Sequence, residues 1–154
     1  MADCKRKTAN LFDKSKRTNN SRVVYTTGEI SELYNVFVSD FIPIEPNTTY
    51  TLNIISSISG KTGHLFALYD ENKNFVNTGA HKATLATVYT FTTPSNVAYI
   101  RFNGNMASVD STMLNEGNTA LPYEPYGWVH SLRELTSNGW QDASVKEWDG
   151  SQWQ

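Results

Sequence analysis

The chain holds a single cysteine, Cys4, among 154 residues. That excludes an internal disulfide and any zinc site built on thiolates. Histidine is nearly as scarce: His64, His81 and His130 fall in unrelated segments, so no helix offers two imidazoles four positions apart for a metal. No apolar run approaches the roughly 20 residues that span a bilayer. The basic start is not followed by the apolar stretch of a secretory signal either. A calcium loop of alternating Asp and Asn, a Gly-x-Ser-x-Gly elbow and a Gly-rich phosphate cradle are all missing. No cofactor, metal or membrane is therefore expected. Charged residues make up only 18% of the chain, and the Ala, Leu, Glu and Lys that a helical bundle needs are thin.

What is present favours strands. Thr, Ser and Asn are abundant, and Tyr and Phe recur between turn residues every eight to fifteen positions. The expected strands are 22–26, 35–44, 49–58, 64–70, 75–77, 84–93, 97–103 and 109–115. Pro43 marks a sheet edge or bulge, because proline cannot donate to the ladder. Alternation places Tyr50, Leu52 and Ile54 on one face, with Thr51 and Asn53 on the other. Gly104 is read as a break, and Asp70-Glu71-Asn72-Lys73-Asn74 as a turn. One helical turn each is expected at 30–34 and 131–135, both too short to stand alone. Eight or so strands without intervening helices give an all-β fold, economically an antiparallel jelly-roll-like β-sandwich. An immunoglobulin-like sandwich is the runner-up, without its Cys…Trp…Cys pattern.

Charge and tryptophan divide the chain. Residues 1–22 hold seven basic residues against Asp3 and Asp13, about +5, and the remaining six basic residues face thirteen acidic ones, about −7. This predicts a basic N-terminal arm, 1–22, with Cys4 inert within it. Such an arm suits an acidic partner surface or serves as a solvated terminus. Nucleic acid finds no recognition helix or basic aromatic stripe. All four tryptophans, Trp128, Trp140, Trp148 and Trp153, lie in residues 128–154, which reads as a Trp-rich docking or oligomerisation tail behind a body at 23–127. Asp149-Gly150 is a hairpin signal. A turn there makes Trp148 and Trp153 cross-strand neighbours, worth about 0.5–1 kcal/mol. One isolated hairpin is marginal in water, so the tail is expected to pack on the body, a second copy or another protein. Lys5, Arg6, Lys7, Trp140, Trp148 and Trp153 are the docking candidates.

Catalytic sets are incomplete. Asp110 and Glu116 are two carboxylates on one segment, the minimum for glycoside hydrolysis, yet each fits a turn or salt-bridge role as well. Sugar binding asks for less: an aromatic platform and a few fixed polar groups. If Ala98, Ile100 and Phe102 point inward, then Val97, Tyr99, Arg101 and Asn103 share the outer face. The plainer alternative is a solvated face with Arg101 paired to a carboxylate such as Glu116. Tyr34, His64, Tyr69 and His81 lie at strand ends or in loops, where binding residues collect.

Several phrases then carry a resemblance. They begin with Asn10-Leu11-Phe12-Asp13 and the run from Ser39 to Tyr50. They continue through Tyr69 to Phe75, Phe91-Thr92-Thr93-Pro94 and Tyr99-Ile100-Arg101-Phe102. They close with Met113 to Gly117 and Leu121-Pro122-Tyr123-Glu124-Pro125-Tyr126. In this order they resemble a carbohydrate-binding-module-like domain of phage tail, baseplate and fibre proteins, over roughly residues 10–127. The run from Val145 to Trp153 resembles the Trp-Asp-Gly-x-x-Trp endings of other phage structural proteins. The resemblance implies a non-enzymatic β-sandwich on a virion, present in many copies or as a homo-oligomer. Its partners would be host polysaccharide and other virion proteins. A chain that starts with Met and stops soon after the sandwich is expected to be a whole protein, which favours capsid or tail decoration.

Overall fold

The computed structural model describes residues 2–54, 66–76, 88–136 and 139–143, with side chains described for 6–54, 66–76 and 88–129. Strand accounts for 47% and helix for 9%, and the sheets are antiparallel, so the fold is all-β. In chain order the strands are β1 (Ala2–Lys7), β2 (Thr18–Val23), β3 (Ile30–Val38), β4 (Ile42–Pro43), β5 (Thr49–Asn53) and β6 (Phe66–Tyr69). Then follow β7 (Phe75–Val76), β8 (Val88–Thr92), β9 (Tyr99–Asn105), β10 (Met113–Glu116), β11 (Trp128–Thr136) and β12 (Gly139–Ala143).

The chain forms two compact units, one of Ala9–Tyr126 and one that joins Met1–Thr8 to Gly127–Gln154. The divisions thus fall at 8/9 and 126/127 rather than at 22/23 and 127/128. Only the first residues of the expected arm belong with the tail. Residues 9–22 belong to the body: Asn10 and Phe12 are 2% exposed, and Thr18–Val23 is a strand.

The smaller unit is a three-stranded sheet in the order β1-β11-β12. Its outer pairing runs from Ala2↔Arg133 to Lys7↔Trp128. Thr8 closes it, giving both its N–H (2.8 Å) and its hydroxyl (3.2 Å) to the Gly127 carbonyl. Gly127 has φ +121, which a side chain would resist. Lys5, Arg6 and Lys7, and Cys4 with them, therefore lie on a paired strand instead of an unstructured arm. The helical turn expected at 131–135 falls inside β11, which pairs with β1 as far as Arg133 and with β12 from Leu132 onward, so this backbone finds ladder partners without a costly single-turn nucleus. Trp140 sits on β12 opposite Leu135, and Trp128 is 68% exposed. Trp148, Trp153 and the expected hairpin at Asp149-Gly150 lie outside the described residues.

The larger unit has one sheet ordered β10-β5-β8 and another ordered β2-β3-β9-β6-β7, with β4 also on β9. Tyr50, Leu52 and Leu114 from the first share a core with Phe37, Phe66, Leu68, Ile100 and Phe102 from the second. Each such burial contributes about 1.5–3 kcal/mol. Phe12 joins them, stacked on Phe37 at 5.4 Å and edge-on to Phe102 at 5.0 Å. That insertion is why the segment before β2 is not free. Pro43 sits in the two-residue β4, whose described partner is β9.

Three local expectations are overturned. Ile30 to Tyr34 is strand, because β2 pairs with it as far as Val23↔Ile30. Gly104 does not break β9: it faces Phe37 across the ladder, and a Cβ there would lie 2.3 Å from the Phe37 ring. The glycine makes room for the core. The segment 109–115 begins as a 3₁₀ turn, Met106–Ser111, capped by the Asn105 side chain accepting from the Ala107 N–H; only Met113–Glu116 is strand.

Candidate functional site

Alternation along β6 sends Phe66 and Leu68 into the main core. Ala67 and Tyr69 go to the opposite face of the sheet, where they pack with Val23 and Val38 beneath Phe41, Phe75 and Tyr99. Val23 reaches this face because the β2–β3 hairpin bends. Asn20 and Asn35 both take left-handed φ, +53 and +62, and the register shifts between Asn19 and Ser21. Asparagine tolerates that region better than most residues. The Asn20 carboxamide also accepts the Asn35 N–H at 3.2 Å, fixing the bend.

The bent hairpin is held by two latches. Asn103 Oδ1 accepts the Val23 N–H at 2.7 Å, and its Nδ2 donates to the Val23 carbonyl at 3.0 Å. Tyr69 donates its hydroxyl to the Gly28 carbonyl at 2.7 Å. Burial pushes the Tyr69 phenol up to about 12, with the Arg101 charge opposing, so the donor proton stays in place at neutral pH. Gly28, at φ +73, lies where a Cβ would meet Phe75 at 2.8 Å.

Beside this covered patch the surface opens onto a group of rings and cations. Phe41 meets Tyr69 edge-on at 4.9 Å and Tyr99 at 6.0 Å. The Arg101 guanidinium lies 4.7 Å from the Phe41 centroid and donates through Nε to the Ser39 carbonyl at 2.9 Å. Lys73 Nζ stands 4.8 Å from Phe41 and 5.6 Å from Tyr99. Each cation–π contact at such a site is worth about 0.5–1 kcal/mol. The turn that presents Lys73 is built on Asp70, whose Oδ1 accepts the N–H groups of Asn72 and Asn74, each at 2.9 Å. Asn74 Nδ2 adds a bond to Oδ2 at 3.1 Å. Donation from Asn74, backbone first, then side chain and Asn72, holds this carboxyl below its usual range.

Of the residues singled out from sequence, Tyr69, Tyr99 and Arg101 are brought together here. Tyr99 and Arg101 are half-buried at the surface, and Tyr69 is their floor. Asn103 is a correction. It is 3% exposed and latches the hairpin, because the chain folds back over the face on which it was expected to meet solvent. Val97 is likewise buried, at 5% exposure. The described contacts of Arg101 are with Ser39 and Phe41 rather than Glu116. Tyr34 takes no part in the cluster; it is 80% exposed on the stretch of β3 before its pairing with β9. His64 and His81 lie outside the described residues. Phe41 and Lys73 were missed. Phe41 had a legible signal, since Ile42 and Ile44 turn inward and so leave a large ring on the other phase.

Asp110 is bound to Lys14 Nζ at 2.6 Å, and that hydrogen bond holds its carboxyl below the usual range. Among the described residues no group of three His, Cys, Asp or Glu side chains is placed to hold a metal. No protein-family model, curated protein or solved structure matches this chain.

Proposed function

We propose that the larger unit is a jelly-roll-like β-sandwich that binds carbohydrate without acting on it chemically, as a phage virion protein facing host polysaccharide. One observation carries this reading: Tyr99 and Phe41 form a half-buried ring pair flanked by Lys73 and Arg101. Sugars offer an apolar C–H face that stacks on aromatic rings and hydroxyls that accept from cationic donors. Two positive groups disfavour a cationic ligand and suit neutral or acid-bearing sugars. Binding per copy is weak in this reading, and display in many copies adds about 10²–10⁴ in avidity.

The test uses purified protein multimerised on beads and presented with host cell-wall polysaccharide. Parent beads are expected to bind, and Tyr99→Ala or Arg101→Ala beads to bind much less. Parent beads that capture no polysaccharide would remove the proposal.

A docking role is supported by a different observation. Trp128 is 68% exposed and stands opposite Lys7 in the register of β1 with β11. Exposed aromatic and basic residues together suit an interface with another virion protein. We propose that the smaller unit anchors the chain. Trp128→Ala should lower incorporation into particles while leaving polysaccharide binding intact; normal incorporation would refute the anchor.

A further inference from the structure

Among the described residues of the larger unit, two neighbouring clefts share lining residues. The first, about 90 Å³, is lined in part by Phe41, Asp40, Lys16, Asp13 and Tyr126. The second, about 160 Å³, is lined in part by Asp13, Lys14, Tyr123 and Tyr126. Phe41 therefore belongs both to the ring–cation platform and to the first cleft. Asp13 and Tyr126 belong to both clefts and form the divide between them.

The divide is a fixed structure. Tyr123 and Tyr126 each follow a proline, which restrains the backbone before the ring. Glu124 between them is tied down twice, its carbonyl accepting Asn10 Nδ2 at 2.8 Å and its carboxylate accepting the Ala9 N–H at 3.0 Å. The two rings nevertheless remain 43% and 46% exposed. Rings of this size, open to solvent on a backbone already tied down, form a platform whose main chain need not be ordered by a ligand. Asp13 is half committed. Its Oδ1 accepts from the Ser15 N–H and hydroxyl, at 3.1 and 2.6 Å. Its Oδ2 has Lys16 Nζ at 3.9 Å, beyond hydrogen-bond distance, and so can accept a hydroxyl proton.

Each cleft is smaller than the roughly 300–1,000 Å³ that encloses a compact organic ligand. Their shared walls instead suit a chain that places one unit in each and continues. We propose that platform and clefts form one track for an extended, linear polysaccharide. It would run from Tyr99 and Phe41 across Tyr126 to Tyr123, with an uncharged sugar ring stacked on Tyr126 and a hydroxyl of that ring on Asp13. This rests on the carbohydrate reading above and adds to it: the ligand is an internal stretch of a polymer, several residues long, rather than a terminal sugar.

The test is an array of neutral and uronic-acid oligosaccharides in homologous series from one to eight residues, probed with the intact chain. Affinity should climb with length. Tyr126→Ala should weaken the longest bound member about tenfold, the scale of one lost stacking contact, and leave the shortest unchanged. Asp13→Asn keeps the acceptor for Ser15 and should weaken long chains about threefold, the lower end of the net worth of one solvent-exposed hydrogen bond. Tyr99→Ala should weaken all lengths. Affinity independent of length, or parental binding of the longest member by Tyr126→Ala, would overturn the track while leaving the platform. Failure of the parent to bind any length would overturn both.

Discussion

Replacing Asn103 with alanine separates a latch from a ligand contact. The carboxamide gives Val23 the acceptor and the donor that a neighbouring strand would give, at 2.7 and 3.0 Å, in a site where Asn103 is 3% and Val23 2% exposed. Truncation leaves a buried N–H and a buried carbonyl without these partners. Each such group costs about 1–3 kcal/mol, and some water entry should bring the total to about 2–4 kcal/mol. In a unit the size of Ala9–Tyr126, that lowers the melting temperature by roughly 10 °C. Amide exchange at Val23 should accelerate by at least about thirtyfold if local opening becomes cheaper by the same energy. Exchange deep in the core, at Phe102 for example, should change only through the global term. Thermal melting with residue-resolved hydrogen exchange reads both effects. A melting point within about 2 °C of the parent, together with unchanged exchange at Val23, would refute the latch.

Gly104→Ala should destabilise by about 1–3 kcal/mol, since the new Cβ lies 2.3 Å from a Phe37 ring that is 0% exposed; a parental melting curve would count against this. Asn35→Ala should cost about 1–2 kcal/mol for the left-handed φ, whereas Asn35→Gly should be tolerated; equal effects of alanine and glycine in urea titrations would remove the hinge account. Tyr69 carries a pH signature. Its folded-state phenol sits at about 12, above the ordinary 10.0, so the folded form keeps its proton where the unfolded form loses it. The associated stability is complete below about pH 10 and is lost as pH rises toward 12. Tyr69→Phe should flatten that part of the stability profile, and an unchanged alkaline slope would contradict the assignment.

The strands were legible where one face is apolar. Tyr50, Leu52 and Ile54 alternate into the core as the sequence spacing requires, as do Ile100 and Phe102. The place of residues 9–22 was hidden because basic residues at 14, 16, 17 and 22 dominate its composition. The two residues that matter, Asn10 and Phe12, act at long range: Asn10 Oδ1 accepts the Leu114 N–H at 3.2 Å, and Phe12 fills the core between Phe37 and Phe102. Asn103 misled for a related reason, since its phase was right but the hairpin that covers it reaches it through the bend at Asn20 and Asn35, which strand alternation does not reveal. The ring pair was half legible. Tyr99 and Arg101 follow from alternation, whereas Lys73 arrives over the rings through the Asp70 turn, whose direction local sequence does not set. Tyr123 and Tyr126 stand in two Pro-Tyr pairs three residues apart, a spacing that gives no indication that both border the same hollow.

Thr8 and Gly127, which close the smaller sheet, stand 119 residues apart. A ribosome therefore releases β1 long before β11 exists, and the intervening unit has time to form first. So distant a closure is entropically late and slow. Until then β1 is an unpaired edge bearing Lys5, Arg6 and Lys7, charges of the kind that keep bare strands from joining their neighbours. The clasp can shut only after β11 has been made, so a product cut short before Trp128 would leave β1 still seeking a mate.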